Sequence, residues 1–310
     1  MKILSVMDPL EYLSLPQDTT IGFMNAASVR GHELYVCTPA DLYLIGNQAW
    51  AKVIKVKIPS PDKVEQREEL QISLAEFDCI WMRKDPPVDQ AYLHATFILD
   101  FANTWVINPP SLLRNFNEKL YALQFIDITP HTRVASSPKI ILSWLQASDE
   151  PMIVKPLDGY GGLGVFLLSG QDRNSRVSLE LLTDNGKKRV VVQKYLQAAR
   201  KGDHRVLIVN GEVIGAILRT PQDDDHRGNI HVGGKVTHLP LNEEEFALCE
   251  RVAQHLKDDG IFFAGLDLIG GLITEINITS PTGIRELKNL TGIDSGELFV
   301  KAIETELLTH

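Results

Sequence analysis

Acidic side chains inside apolar strands constrain this chain more than any other feature. In residues 262–286, FFAGLDLIGGLITEINITSPTGIRE, Asp267 interrupts an apolar run that reads as a strand. A Gly-Gly turn at 270–271 follows, and a second apolar run carries Glu275 and Asn277. Residues two apart in a strand share a face, so the hairpin sets Asp267 opposite the Glu275/Asn277 pair. A carboxylate among apolar neighbours is costly unless it is paired or bound to metal. Two carboxylates and an amide oxygen are hard ligands, suited to Mg²⁺ held jointly with nucleotide phosphates. A hairpin with polar edge residues is the alternative.

The rest of the chain divides by pattern. Strands at 2–7, Glu33–Cys37, Val53–Lys57, Phe77–Met82 and Trp105–Ile107 alternate with helices at Thr19–Val29 and Ala91–Phe101. Asp18 is the expected N-cap of the first helix and Gly31 its stop. Residues 59–71 are polar and contain proline, and read as a surface loop. The alternation predicts a parallel α/β sheet over about the first 115 residues. After Asn117 short helices at Lys119–Phe125, Pro138–Gln146 and Leu179–Leu182 interrupt a strand-rich stretch. Its strands fall at Arg133–Ala135, 152–156, 163–168, 189–194, 204–209 and 212–218. A long polar loop spans 220–236, of the kind that is usually functional. A helix at Asn242–Asp258, stopped by Gly260, and two short helices complete the chain.

Composition limits the partners. A net charge of −9 over 310 residues argues against nucleic acid, which needs a basic face. No apolar run reaches the ~18 residues of a membrane span, and Asp8-Pro9 breaks the short apolar start before it can serve as a signal segment. The three cysteines, Cys37, Cys79 and Cys249, have no metal-ligand spacing. Free thiols suit a reducing compartment, so a cytoplasmic address is expected.

Several segments carry chemistry. Lys155 ends the strand MIVKP and runs into DGYGGLG at 158–164. Its glycines, Gly161 and Gly162 among them, let backbone N–H groups approach phosphate. No GK[ST] follows and a strand comes next, which excludes a P-loop and a dinucleotide fingerprint. A flap over a nucleotide fits, with a plain turn as the alternative. Lys155 is then a phosphate clamp or a solvated strand end. Lys119 lies near a helix N-terminus, where a cation opposes the dipole, and this hints at a ligand anion. Gln193-Lys194-Tyr195-Leu196 leaves a strand and offers backbone groups to an adenine edge. Asp203 follows as a ribose partner. Spacing alone fits a domain hinge equally well. Arg205 and Arg219 sit in apolar strands, as candidates for carboxylate or phosphoryl recognition or as structural ion pairs. Arg227, Asn229 and Gly233-Gly-Lys235 lie on the long loop, a lid whose tip, Asp223–Asp225, points to solvent. Arg83, in RKDPP, and Asp8-Pro9 stand at the carboxyl ends of strands, where open α/β sheets bind ligands.

Taken in order, NEKL, KPLDGYGG, QKYL, DHR, RT-PQ, RGN, GGK, GLDLIG and TEINITSPTGIRE resemble the ATP-grasp enzymes. Within them the chain is similar to the bacterial glutathione synthetases, whose N-terminal domain MDP, DLYL and MRKDPP also match. The resemblance spans almost the whole chain. It implies an α/β architecture: an N-terminal open parallel domain (1–117), then a two-part ATP-grasp module. That module comprises a small central subdomain (118–194) and a C-terminal catalytic subdomain (195–310). It implies that ATP phosphorylates the C-terminal carboxylate of γ-glutamylcysteine and that glycine attacks the acyl phosphate, giving glutathione, ADP and phosphate. By the match, Lys119 and Lys155 hold ATP phosphates under Gly161 and Gly162. Gln193, Tyr195 and Leu196 line the adenine site, and Asp203 the ribose. Asp267, Glu275 and Asn277 hold Mg²⁺, two ions with Mn²⁺ as a substitute. Arg83, Arg205, Arg219, Arg227 and Asn229 face substrate, with Ser280 and Thr282 on the dipeptide or glycine. Arg205, Arg219 and Lys155 are the implied catalytic set, and the family implies a dimer or tetramer. Asp267→Ala is expected to stop turnover and leave the fold intact. The departures are Lys194, the DDDH loop tip and Lys235 where an arginine is expected. The rivals are another ligase of this fold, such as a D-alanine–D-alanine or glutamate-adding enzyme, and a non-catalytic ATP-binding protein. A dinucleotide-dependent oxidoreductase is a third, set aside because no GxGxxG follows the first strand.

Overall fold

The structure, a computed structural model, describes residues 1–222 and 234–309. Three sheets follow one another along the chain. The first holds β1 (Lys2–Val6), β2 (Glu33–Cys37), β3 (Leu42–Ile45), β4 (Gln48–Ser60), β5 (Lys63–Ser73), β6 (Cys79–Met82) and β7 (Trp105–Ile107). The second holds β8 (Thr132–Ala135), β9 (Met152–Pro156), β10 (Phe166–Leu168) and β11 (Val190–Lys194). The third holds β12 (Asp203–Val209), β13 (Glu212–Thr220), β14 (Lys235–Thr237), β15 (Phe263–Ile269) and β16 (Leu272–Asn277). The helices are α1 (Thr19–Val29), α2 (Gln90–Leu99), α3 (Pro110–Asn115), α4 (Glu118–Tyr121), α5 (Pro138–Gln146), α6 (Ser175–Leu182), α7 (Glu243–Asp258), α8 (Ile284–Thr291) and α9 (Ser295–Thr309).

In the first sheet β2, β1, β6 and β7 are parallel neighbours, as the strand–helix alternation predicts. Asp18 caps α1 by accepting from the Ile21 N–H at 2.8 Å. The loop expected at 59–71 is instead a strand. β4 and β5 form a long antiparallel ribbon that extends the sheet beyond β2. Sequence patterning could not show this, because β5 (KVEQREELQIS) buries only Ile72 and so lacks an apolar alternation. Backbone pairing and exposed charge pairs such as Lys52–Glu69 (2.9 Å) accompany it. The strand expected at 163–168 is confined to Phe166–Leu168, because Gly161, Gly162 and Gly164 take positive φ and prolong the turn.

The first and third sheets share their interiors. Leu4, Ile80 and Tyr92 pack in one cluster with Val206, Leu266 and Ile276. Ile3, Phe23 and Trp81 pack in another with Leu207, Phe263 and Phe299. The second sheet has a separate core of Ile141, Leu145, Val154, Leu179, Val190 and Val192. Buried Asn108, just past β7, joins the first body to the third. Its Nδ2 donates to the Phe263 and Ile278 carbonyls, both at 2.7 Å. Its Oδ1 accepts from the Phe262 and Phe263 N–H groups at 2.9 and 3.0 Å. No helix among the described residues is long and apolar enough to cross a membrane.

Candidate active site

Strand alternation puts Asp203 and Arg205 on one face of β12, and the antiparallel register completes a row of charge on it. Asp203 lies across from Arg219 on β13, Arg205 across from Asp267 on β15, and Asp267 across from Glu275 on β16. All four of Asp203, Arg205, Arg219 and Asp267 are buried. Arg205 grips Asp267 with both arms of its fork, Nε to Oδ1 at 2.6 Å and Nη2 to Oδ2 at 3.1 Å. Its Nη1 donates to the Thr282 carbonyl at 3.1 Å. Arg219 bridges Asp203 and Asp267, the latter at 2.9 Å.

A second charge cluster meets this row. Lys155 Nζ donates to Glu275 Oε1 at 2.8 Å, and Lys119 Nζ stands 3.8 Å from the same oxygen. Lys119 also donates to the Gly159 carbonyl at 2.6 Å, while Asn117 Nδ2 donates to the Leu157 carbonyl at 3.0 Å. The Asn117–Lys119 segment therefore fastens the base of the Gly-rich turn. Gly161, Gly162 and Gly164 have φ of +59°, +79° and +72°, a region that side chains disfavour.

Burial opposes the charge of Asp267, but the two guanidinium groups outweigh it and hold the carboxyl well below the usual carboxylate range. Glu275 is likewise disfavoured by burial and lowered on balance by Lys119 and Lys155. Glu118 goes the other way. Burial and the nearby Glu275 raise it, against Lys119 and a 2.8 Å hydrogen bond from Thr279 Oγ1. A carboxyl raised above its unfolded value of 4.5 holds its proton better when folded, so stability falls as pH rises through that window. Glu118→Gln is expected to raise the melting temperature at pH 7, with the gain vanishing below about pH 4. A gain independent of pH in calorimetry would refute this account.

Two adjoining cavities use these groups. The first is lined by all eight residues expected around the nucleotide: Lys119, Lys155, Gly161, Gly162, Gln193, Tyr195, Leu196 and Asp203. The second, of about 380 Å³, is lined by Arg205, Asn277, Ser280 and Thr282, together with Asp85, Glu118 and Thr279. Tyr160, Gly161, Leu163, Arg219, Asp267 and Glu275 line both.

The structure changes several expectations. Asn277 lies across from Gly265 rather than Asp267, although its Nδ2 still reaches Asp267 Oδ2 at 3.4 Å. The metal-candidate carboxylates do not point at one empty centre; each is gripped by cations. Among the described residues no three His, Cys, Asp or Glu side chains cluster as a metal site by themselves. The set left is two ionised carboxylates and an amide on adjacent strands, a hard-oxygen set that fits a divalent cation sharing its shell with phosphates. Arg83 lines neither cavity. It is buried behind the second, donating to Thr20 Oγ1 at 3.2 Å and to the Pro281 carbonyl at 3.1 Å. It supports the 279–283 segment rather than facing substrate. Arg227 and Asn229, with the loop tip Asp223–Asp225, lie outside the described residues. Lys194 sits at the mouth of the first cavity and pairs with Glu150 at 3.2 Å. Glu118 and Asp85 are the wall residues that sequence reasoning missed, although both lie inside segments it quoted, NEKL and MRKDPP.

Comparison with known proteins identifies the family. The family model "Prokaryotic glutathione synthetase, N-terminal domain" matches residues 1–114. "Prokaryotic glutathione synthetase, ATP-grasp domain" matches residues 118–292. The chain is 45% identical over 303 residues to the glutathione synthetase of Gloeobacter violaceus, covering 94% of this chain and 93% of that one. It is 38% identical over 320 residues to that of Synechocystis sp., covering 99% and 100%. Among solved structures, D-cycloserine synthetase DcsG superposes with a TM-score of 0.68 at 16% identity, covering 98% of this chain and 99% of that one. A RimK domain ATP-grasp protein from Sphaerobacter thermophilus gives 0.65 at 17%, covering 98% and 100%. At that identity the solved structures establish the ATP-grasp fold alone. With both family domains matched along its length, the chain belongs to the prokaryotic glutathione synthetases, a family of ATP-grasp ligases.

Proposed function

We propose that the second cavity receives γ-glutamylcysteine and glycine, and that the first delivers the γ-phosphoryl of ATP across the wall they share. The activity is ATP-dependent glutathione synthesis, a carboxylate–amine ligation, in keeping with family membership. The observation that carries the site assignment is the shared wall of Arg219, Asp267 and Glu275. On this reading a phosphate donor and a carboxylate acceptor would lie on two sides of one charge cluster.

Phosphoryl transfer asks for positioning and charge neutralisation more than for a covalent residue. Lys119 and Lys155 hold phosphates below the Gly-rich turn. Gln193, Tyr195 and Leu196 take the adenine. Asp203 has a ribose within reach only by sharing its carboxylate with Arg219. Asp267, Glu275 and Asn277 would hold Mg²⁺, which would supply charge neutralisation at the transferring group. Lys119, Lys155, Arg205 and Arg219 are already matched in place by Glu118, Glu275, Asp203 and Asp267. A polyanionic triphosphate entering this balanced set needs countercharge brought with it, which favours the metal complex over free nucleotide. Arg205 and Arg219 exchange carboxylate for phosphoryl and acyl-phosphate oxygens as charge develops. The cysteine thiols take no part: Cys249, raised by burial to about 12, stays protonated, and Cys37 and Cys79 are buried and raised further. Such buried free thiols fit a cytoplasmic setting.

The deciding experiment measures phosphate release from ATP with γ-glutamylcysteine and glycine, added singly and together, and follows the tripeptide by mass spectrometry. Release that requires both, with glutathione formed, supports the reading. Turnover with D-alanine instead would retain the fold and discard the substrate. Arg219→Ala is expected to lower kcat about 100-fold while raising KM for ATP only a few-fold. A pure KM effect would mean that Arg219 binds ground and transition states alike.

A further inference from the structure

Three polar groups stand in line beside the first cavity. β11 lies between β9 and β8, with Gln193 across from Ile153 on one side and from Thr132 on the other. Strand alternation sorts these residues by face. Val154, Val190 and Val192 point into the core of the second sheet, whereas Ile153, Lys155 and Gln193 line the cavity. The Gln193 side chain therefore lies on the cavity face, and it is buried there. Its Nε2 donates to Thr132 Oγ1 at 2.9 Å. Thr132 Oγ1 in turn donates to the Pro130 carbonyl at 2.7 Å. Thr132 itself does not line the cavity. A hydroxyl has one hydrogen. Thr132 commits it to a carbonyl, so toward Gln193 it can only accept, and the end of the amide that meets it must be the NH₂ group. The two ends of an amide have nearly the same shape, and the hydrogen-bond network decides between them. Oε1 is the end left over. Among the described residues it accepts no hydrogen bond, and it is not sealed from the cavity. The cavity is thus offered an acceptor, where an unrestrained glutamine could offer either an acceptor or a donor.

We propose that Thr132 is a positioning residue that selects adenine over guanine by holding the Gln193 amide in one orientation. The proposal rests on the reading of the first cavity as the nucleotide site. Adenine carries an amino donor at C6, which an acceptor at Oε1 satisfies. Guanine carries a carbonyl oxygen there, which meets Oε1 lone pair to lone pair and leaves two acceptors unpaired. A glutamine free to turn serves either base by exchanging its ends. Selection therefore comes from the hydroxyl behind the amide and the Pro130 carbonyl that fixes its polarity, not from Gln193 alone.

The test measures kcat and KM of the whole enzyme, with Mg²⁺, γ-glutamylcysteine and glycine, for ATP, GTP and purine riboside triphosphate, which lacks the C6 amino group. The wild type is expected to favour ATP over GTP by about 1,000-fold in kcat/KM, and over purine riboside triphosphate by about 10-fold. Thr132→Val, similar in shape but without the hydroxyl, is expected to raise KM for ATP about 10-fold with kcat held, and to reduce the ATP/GTP ratio to about 10. Thr132→Ser, which keeps the hydroxyl, is expected to retain the wild-type ratio. A loss of packing alone would lower the melting temperature without moving that ratio. An unchanged ratio in Thr132→Val overturns the assignment, as does a ratio in Thr132→Ser that falls as far as in Thr132→Val. Equal use of ATP and purine riboside triphosphate by the wild type does so without any variant, which covers the case in which Thr132→Val fails to fold. Absence of turnover by the wild type with all three triphosphates would instead reject the parent reading.

Discussion

Asp267→Asn is expected to reduce kcat by at least about 1,000-fold, because on the proposed assignment it removes a metal-holding charge at the point where transferred charge develops. The alanine variant will do more than stop turnover. Arg205 and Arg219 are both buried, and Asp267 neutralises both. Truncation leaves one guanidinium without its principal partner and the other with Asp203 alone, at a cost of about 3–5 kcal/mol. The expectation that Asp267→Ala leaves the fold intact is therefore revised. Asp267→Ala is expected to melt well below Asp267→Asn, with both inactive. Phosphate release and thermal melts separate the two effects, and near-normal Mg²⁺-dependent turnover in Asp267→Asn would remove the metal assignment.

Asn108→Ala is expected to destabilise the protein by about 4 kcal/mol without touching substrate. The side chain satisfies two carbonyls and two N–H groups in a buried seam. Each group left unpaired costs about 1–3 kcal/mol, softened where water enters. Chemical denaturation measures the loss. A change under about 1 kcal/mol would mean that the seam relaxes around a smaller side chain. Asn108→Asp is informative too, because the acid keeps the two acceptor contacts and loses both donated ones.

Much of the charge cluster and of the proposed nucleotide site was legible because its residues break local rules. Asp267, Glu275, Arg205 and Arg219 are charges in apolar strands, and the Gly-rich turn has more glycines than a reversal requires. Each demands an explanation that the fold alone does not give. The partners could not be read, because antiparallel register decides which charge meets which. Arg205 faces Asp267 only because β12 and β15 align as they do. Glu118 and Asp85 were overlooked for the opposite reason: an acid in a short polar segment breaks no rule until the cavity around it is seen. Arg83 was placed against substrate because strand ends in open sheets bind ligands. The Pro281 carbonyl, distant by 198 positions in sequence, occupies it instead. β5 escaped because all of its side chains but Ile72 are exposed or half-buried, and a strand without an apolar face has no period to detect.

The separate core of the second sheet has a mechanical consequence. Lys155 and Gln193 belong to one body and Arg219 and Asp267 to another, while few apolar contacts tie the two together. A nucleotide bound as proposed would span the seam and act as mortar between two independently built blocks. The free energy of nucleotide capture is then partly the work of clamping, and any substitution that loosens the joint should tax ATP affinity even where no atom of ATP is touched.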